Sequence, residues 1–140
     1  MVGSTPAARY IYRRAAENGK RAQCQGGAKN PSVVMPDADM DMTTRILADS
    51  AFGCAGQRCL ALSLAITVGE ARNVLVERFC AAAEKRVVGY GLDDGVEMGA
   101  LISHESKRRI EGWIARGEEE GARVLVDGRG KKVSDYEAGS

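Results

Sequence analysis

The sequence predicts an α/β fold, a mainly parallel sheet with flanking helices, on three observations. Segments of helical spacing alternate with short apolar segments, the order that builds a parallel sheet with crossover helices. Residues 60–68 alternate between large apolar and small side chains, which is the period of a strand. Helix start and stop residues flank the helical segments. At 140 residues the chain has the length of one ordinary domain.

The elements follow in order. Residues 5–18 form an amphipathic helix: Ser4 or Thr5 caps it, Pro6 suits its first turn, and Asn18-Gly19 ends it. Ala8, Ile11, Tyr12 and Ala15 make its single apolar stripe. After a short segment at 20–25, the run Gly26-Gly27-Ala28-Lys29-Asn30-Pro31 reads as a domain junction. Residues 32–35 are a short buried strand. Asp37-Ala38-Asp39 opens a second helix that runs to about Phe52, because an aspartate caps a helix and suits the positive end of its dipole.

Gly53 to Cys59 is a turn rich in small residues. In the strand that follows, Leu60, Leu62, Leu64, Ile66 and Val68 share one side, and Ala61, Ser63, Ala65 and Thr67 the other. That pattern predicts a strand covered on at least one face. A third helix, 70–87, buries Val76, Phe79, Cys80, Ala83 and Val87; 89–99 is a loop. A fourth helix, 104–120, buries Ile110, Trp113, Ile114 and Gly117, and Gly121 stops it. Residues 122–126 read as a further strand before a polar tail. Both ends read as cut: Val2 is the only trace of a strand before the first helix, and the closing Tyr136 to Ser140 segment has nothing to cover the last edge.

Composition removes several classes of function. Twenty Lys and Arg against nineteen Asp and Glu leave a net charge of +1, no footprint for nucleic acid or an anionic membrane. Hydrophobic residues make 44% and charged residues 28%, which argues against disorder over the whole chain. No apolar run approaches the roughly 20 residues that span a bilayer. No secretory signal is visible at the N-terminus, although a mature chain cut after one looks the same. Cys24, Cys54, Cys59 and Cys80 read as reduced thiols, and a C-x4-C pair with His104 as the single histidine offers too few ligands for zinc.

Among residues able to carry chemistry, Cys59 stands out. It follows a Gly-containing turn, precedes the patterned strand and has Arg58 beside it. A neighbouring cation favours the thiolate, the form that attacks. By position alone a buried structural cysteine, the commoner role of the residue type, fits as well. Gly3-Ser4-Thr5 before a helix suits either a plain cap or a polar cofactor group at the helix N-terminus. Gly26-Gly27 permits a close backbone approach or merely a turn. His104 reads as a surface residue at a helix start, Glu118-Glu119-Glu120 as a solvated face, and Trp113 as core.

Four motifs taken in order carry a resemblance: Gly3-Ser4-Thr5-Pro6, Gly26-Gly27-Ala28-Lys29-Asn30, Val34-Met35-Pro36-Asp37-Ala38-Asp39 and Gly56-Gln57-Arg58-Cys59. Together they resemble the aldehyde dehydrogenase superfamily, and within it the CoA-acylating branch that acts on methylmalonate semialdehyde. Met98-Gly99-Ala100-Leu101-Ile102 is similar to the family's Met-Gly-Pro-Leu turn, with Ala100 where proline is usual. The family enzyme is several times longer, so the resemblance implies a central fragment. Residues 1–26 would end the NAD-binding domain and 27–140 would begin the catalytic domain. The first part of the NAD domain, the oxyanion-stabilising asparagine, a later cofactor-binding glutamate and the oligomerisation segment would lie elsewhere.

The resemblance also implies roles. Cys59 aligns with the nucleophile that forms a thiohemiacetal and then a thioester, with NAD taking the hydride. Arg58 aligns with a residue that holds the substrate carboxylate, which a guanidinium fork suits. Ser4 aligns with a residue along the cofactor and Gly26 with a position beside it. CoA would be the cosubstrate, the products propionyl-CoA or acetyl-CoA, and the parent a homotetramer, cytoplasmic or, in a eukaryote, mitochondrial. Hydrolytic relatives carry a water-activating glutamate upstream of the nucleophile. Three ways of counting back place that position at Gln25, Cys24 or Gly26, none a carboxylate. The alternatives are a hydrolytic NAD(P)-dependent aldehyde dehydrogenase and a non-catalytic truncated module. The fragment alone is expected to be inactive, since most of the cofactor fold and the oxyanion donor are missing, and prone to self-association, since cut sheets expose strand edges.

Overall fold

The computed structural model describes residues 1–133, and the reading of the closing segment at 136–140 lies outside them. The chain divides into two compact units, Met1–Asn30 and the remainder from Pro31. The first unit holds helix α1 (Thr5–Glu17). Its cap is as the sequence predicts: Ser4 Oγ accepts from the Ala7 N–H, Pro6 lies in the first turn and Asn18 closes the helix. Val2, the trace of a strand, pairs in parallel with Gln25 in an isolated bridge, through Gly3 N–H to Gln25 O at 3.1 Å and Gln25 N–H to Met1 O at 3.0 Å. Of the α1 stripe only Ala8 is buried; Ile11 and Tyr12 are exposed.

The second unit is a β–α–β–α arrangement. Strands β1 (Asn30–Val34) and β2 (Leu62–Thr67) form a two-stranded parallel sheet. Helix α2 (Met40–Phe52) connects them and helix α3 (Ala71–Lys85) follows. Asp39 caps α2, its Oδ1 accepting from the N–H groups of Asp41 and Met42 at 3.0 Å. Two of the orphan donors of a helix start are thereby satisfied. The core is small: Val34, Leu47, Ala71 and Leu75, with Ala38, Met40, Leu62 and Phe79 packed against it. Phe52 and Phe79 lie 5.6 Å apart between ring centres. Helix α4 (His104–Glu119) is capped by Ser103, whose Oγ accepts from the Ser106 N–H. Gly121 beyond its end has φ +97°.

Further expectations are corrected. Of the strand expected to be buried at 32–35, only Val34 is buried; Val33 is 60% and Met35 48% exposed. Residues 122–126 form no strand; a strand needs a partner edge, and none lies beside them among the described residues. Helix α4 buries none of its residues, and Trp113, read as core, is 61% exposed with the Arg116 guanidinium 5.5 Å from its ring centre. The large-residue face of β2 is not covered along its length: Leu64 is 48% and Ile66 44% exposed, because α2 and α3 reach only the Leu62 end of that face. In α3 the innermost residues are Ala71 and Leu75, with Val76, Phe79, Cys80 and Ala83 half-buried and Val87 exposed. The helix thus turns a neighbouring stripe inward.

Candidate active site

Cys59 and Leu60 form the turn that delivers the chain into β2, and both are exposed. Cys59 is thus not buried as a core cysteine would be. None of the four cysteines is in a disulfide. The approach to Cys59 is built with unusual backbone. After α2 comes a short turn, Gly53–Gly56, in which Cys54 (φ 54°, ψ 36°) and Ala55 (φ 52°, ψ 35°) are left-handed and Gly56 follows at φ 71°. Two non-glycine residues in that region store strain of roughly 1–2 kcal/mol each. Such strain lasts only where surrounding bonds hold it. Here the Gln57 N–H donates to Cys54 O at 3.0 Å and the Ala61 N–H to Arg58 O at 3.1 Å.

Arg58 does not extend into solvent without support. Its guanidinium lies against the backbone of Gly53, where a Cβ would meet Nη1 at 2.7 Å, Cζ at 2.8 Å and Nη2 at 2.9 Å. Gly53 thus provides the resting place of the guanidinium.

In the first unit, Ser4 and Gly26 are brought together at the start of α1. A Cβ on Gly26 would meet Thr5 Oγ1 at 2.9 Å and Thr5 Cα at 3.1 Å, so only glycine fits without a shift of backbone. The Gly27 N–H donates to Thr5 Oγ1 at 3.2 Å. The first turn of α1 carries no acidic residue, which leaves the partial positive charge of the helix start uncompensated. A groove of about 630 Å³ beside it is lined by Thr5, Ala8, Arg9, Tyr12, Cys24 and Gly26 among others.

The aldehyde dehydrogenase family model matches residues 1–139. The chain belongs to the aldehyde dehydrogenase family. It is 48% identical over its whole length to the mouse mitochondrial methylmalonate-semialdehyde/malonate-semialdehyde dehydrogenase [acylating], of which it spans 26%. A structure from Sinorhizobium meliloti 1021 solved in complex with NAD is 46% identical and superposes with a TM-score of 0.94, over 99% of this chain and 28% of that one. The methylmalonate-semialdehyde dehydrogenase of Oceanimonas doudoroffii is 47% identical, with a TM-score of 0.92 over 99% of this chain and 28% of that one. The chain thus spans about a quarter of the length of these relatives.

Within this aldehyde dehydrogenase segment the structure adds residues that sequence reading passed over. Gln57 was legible only as part of the Gly56-Gln57-Arg58-Cys59 motif, yet its side chain bonds to Cys54, Ala100 and Ile102. Arg86 is a brace: its side chain, 12% exposed, donates to Asp49 at 3.0 Å and Glu97 at 3.2 Å, and its guanidinium lies 5.7 Å from the Phe52 ring centre. It borders a cavity of about 340 Å³ together with Thr44. Arg86 Nε and Thr44 Oγ1 are both buried without a hydrogen-bond partner. No helix among the described residues is long and apolar enough to cross a membrane, and no cluster of His, Cys, Asp or Glu among them suits a metal ion.

Proposed function

We propose that this chain is the nucleophile-bearing segment of an NAD-dependent, CoA-acylating dehydrogenase of methylmalonate and malonate semialdehyde. The observation that carries the reading is Cys59, exposed on a turn directly after Arg58, in a chain 48% identical to a relative named as acylating. Residues 1–26 would then close the NAD-binding domain, and 27–140 would open the catalytic domain.

The chemistry follows from the residues. The Cys59 thiolate attacks the aldehyde carbon; a C–S bond forms and the carbonyl electron pair moves to oxygen. Arg58 pairs with the substrate carboxylate and brings the aldehyde beside the thiol. Bound NAD would supply the hydride acceptor. Ser4 and Gly26 suit that cofactor: Ser4 edges a helix start with no carboxylate in its first turn, and Gly26, packed on Thr5, lines the groove beside that helix. Loss of hydride leaves an acyl thioester on Cys59. The CoA thiol then attacks the acyl carbon and Cys59 departs as thiolate. Loss of the carboxylate as carbon dioxide leaves its bonding pair on the α-carbon, delocalised onto the thioester carbonyl, and a proton taken up there from solvent gives propionyl-CoA or acetyl-CoA as product. Gln25, Cys24 and Gly26 supply no carboxylate base for water, which agrees with a thiol rather than water as the deacylating nucleophile.

The test uses a full-length enzyme carrying this segment, made by exchanging it for the matching segment of the Oceanimonas doudoroffii dehydrogenase. NADH formation from methylmalonate semialdehyde is followed with and without CoA. Sustained turnover only with CoA is the expected result. Equal turnover without CoA would overturn the acylating reading in favour of a hydrolytic enzyme, and no turnover at all would favour a non-catalytic module. Cys59→Ser should abolish turnover while leaving the fold intact. Homotetrameric assembly of the parent, and its place in the cytoplasm or the mitochondrion, belong to the same proposal.

A further inference from the structure

Gln57 spends its whole side-chain amide on backbone groups. Nε2 donates to Cys54 O at 3.0 Å and, at the long end of hydrogen bonding, to Ala100 O at 3.4 Å; Oε1 accepts from the Ile102 N–H at 2.9 Å. The orientation of the amide is settled by its neighbours, since turning it over would set its oxygen against two carbonyls and its NH2 against an N–H. The side chain is exposed, so these bonds, and not buried area, are what it contributes.

The two ends of the tie matter. Cys54 begins the left-handed pair Cys54–Ala55, and its carbonyl receives a second bond from the Gln57 N–H. Ala100 and Ile102 lie more than forty positions along the chain, just ahead of α4. One side chain therefore fastens a strained turn to a distant loop, two residues before Cys59. Local bonds alone hold the turn from within; the Ala100 and Ile102 contacts hold it against the rest of the unit.

We propose that Gln57 is a positioning residue for Cys59: its amide clamps the Cys54 turn to the Ala100–Ile102 segment and thereby sets where the thiol stands when the aldehyde arrives. The proposal rests on the reading of Cys59 as nucleophile. Gln57 touches no reacting atom. Glutamine is the side chain that fits, because it carries two donors and an acceptor at the right reach. Methionine matches its length with neither, glutamate presents negative charge to two carbonyls, and asparagine falls one methylene short.

The full-length enzyme carrying this segment is compared with its Q57M, Q57E and Q57N variants. The expected result is a fall in kcat of about tenfold or more, the scale of a small misplacement of a reacting group. KM for aldehyde and for NAD should change less than about twofold, since a positioning loss acts on the chemical step. Alkylation of Cys59 by iodoacetamide, read by peptide mass spectrometry, should change severalfold in rate while alkylation of Cys80 stays constant. A kcat in Q57M and Q57E within twofold of the parent would overturn the proposal. So would a loss of kcat that merely tracks a lower Tm with Cys59 alkylation unmoved. If the parent chimera makes no NADH, the functional reading fails separately, and the alkylation comparison still decides whether Gln57 places the thiol. Should Q57M fail to fold, Q57E and Q57N, which keep a polar surface, carry the same comparison.

Discussion

Single side chains decide how the turn before Cys59 is held. Ala55 is left-handed at φ 52°, a region that costs an L-residue roughly 1–2 kcal/mol and glycine almost nothing. Ala55→Gly should therefore raise stability by about 1 kcal/mol, partly offset by the greater freedom of glycine in the unfolded chain, as read from urea unfolding; a destabilised variant would contradict the strain. Gly53 makes the opposite case. Its own φ of −55° suits any residue, but a Cβ there meets the Arg58 guanidinium at 2.7 Å. That end is flexible, so Gly53→Ala should leave stability nearly unchanged and displace Arg58 instead. In the full-length enzyme the expected readout is a higher KM for carboxylate-bearing aldehydes, with little change for aldehydes lacking one. The Gly56-Gln57-Arg58-Cys59 motif was legible in the sequence because it is contiguous. The tie that Gln57 makes was not, because two of its bonds reach across more than forty residues, and spacing along the chain carries no record of such a meeting.

At the scale of elements, caps were the most legible feature. Ser4-Thr5-Pro6 and Asp39 mark the starts of α1 and α2 where the structure has them, since a cap acts within three residues of itself. Asp39→Ala should cost about 1 kcal/mol by denaturant unfolding. The brace between α2 and the loop after α3 was not legible, because Arg86, Asp49, Glu97 and Phe52 meet only once the elements pack. Arg86→Met keeps the packing stem and removes both ion pairs; a loss of about 1–2 kcal/mol is expected, moderated by the exposure of the two carboxylates. Beyond α4, Arg129 holds Asp127 by a side-chain hydrogen bond and reaches Glu118 at 2.7 Å. The Asp127 carboxyl is lowered from 3.8 to about 2, chiefly by that hydrogen bond. A carboxylate held below its ordinary value favours the folded form at higher pH. Its contribution is complete above the ordinary value and is lost as pH falls from about 4 through about 2. A carboxyl-carbon NMR titration should find Asp127 in that low range and find it returned toward the ordinary one in Arg129→Gln.

Across the whole molecule, apolar side chains outnumber the surfaces that cover them. Leu60, Leu64, Ile66, Ile102 and Trp113 are all exposed, and the sheet has only two strands among the described residues. Open strand edges and uncovered apolar faces associate. The isolated chain should self-associate in sedimentation velocity; a sharp monomer that unfolds cooperatively would refute this. By itself the sequence determined the alternation of strand and helix, the helix starts and the order of the motifs. Each of these is local: caps, turns and periodicity act between residues a few positions apart. Tertiary structure alone decided which faces are covered, that residues 122–126 make no strand, that α4 leaves Trp113 outside, and that Gln57 ties the Cys54 turn to Ala100 and Ile102. The reason is that burial and strand pairing belong to a pair of surfaces, and a periodic pattern specifies only one member of the pair.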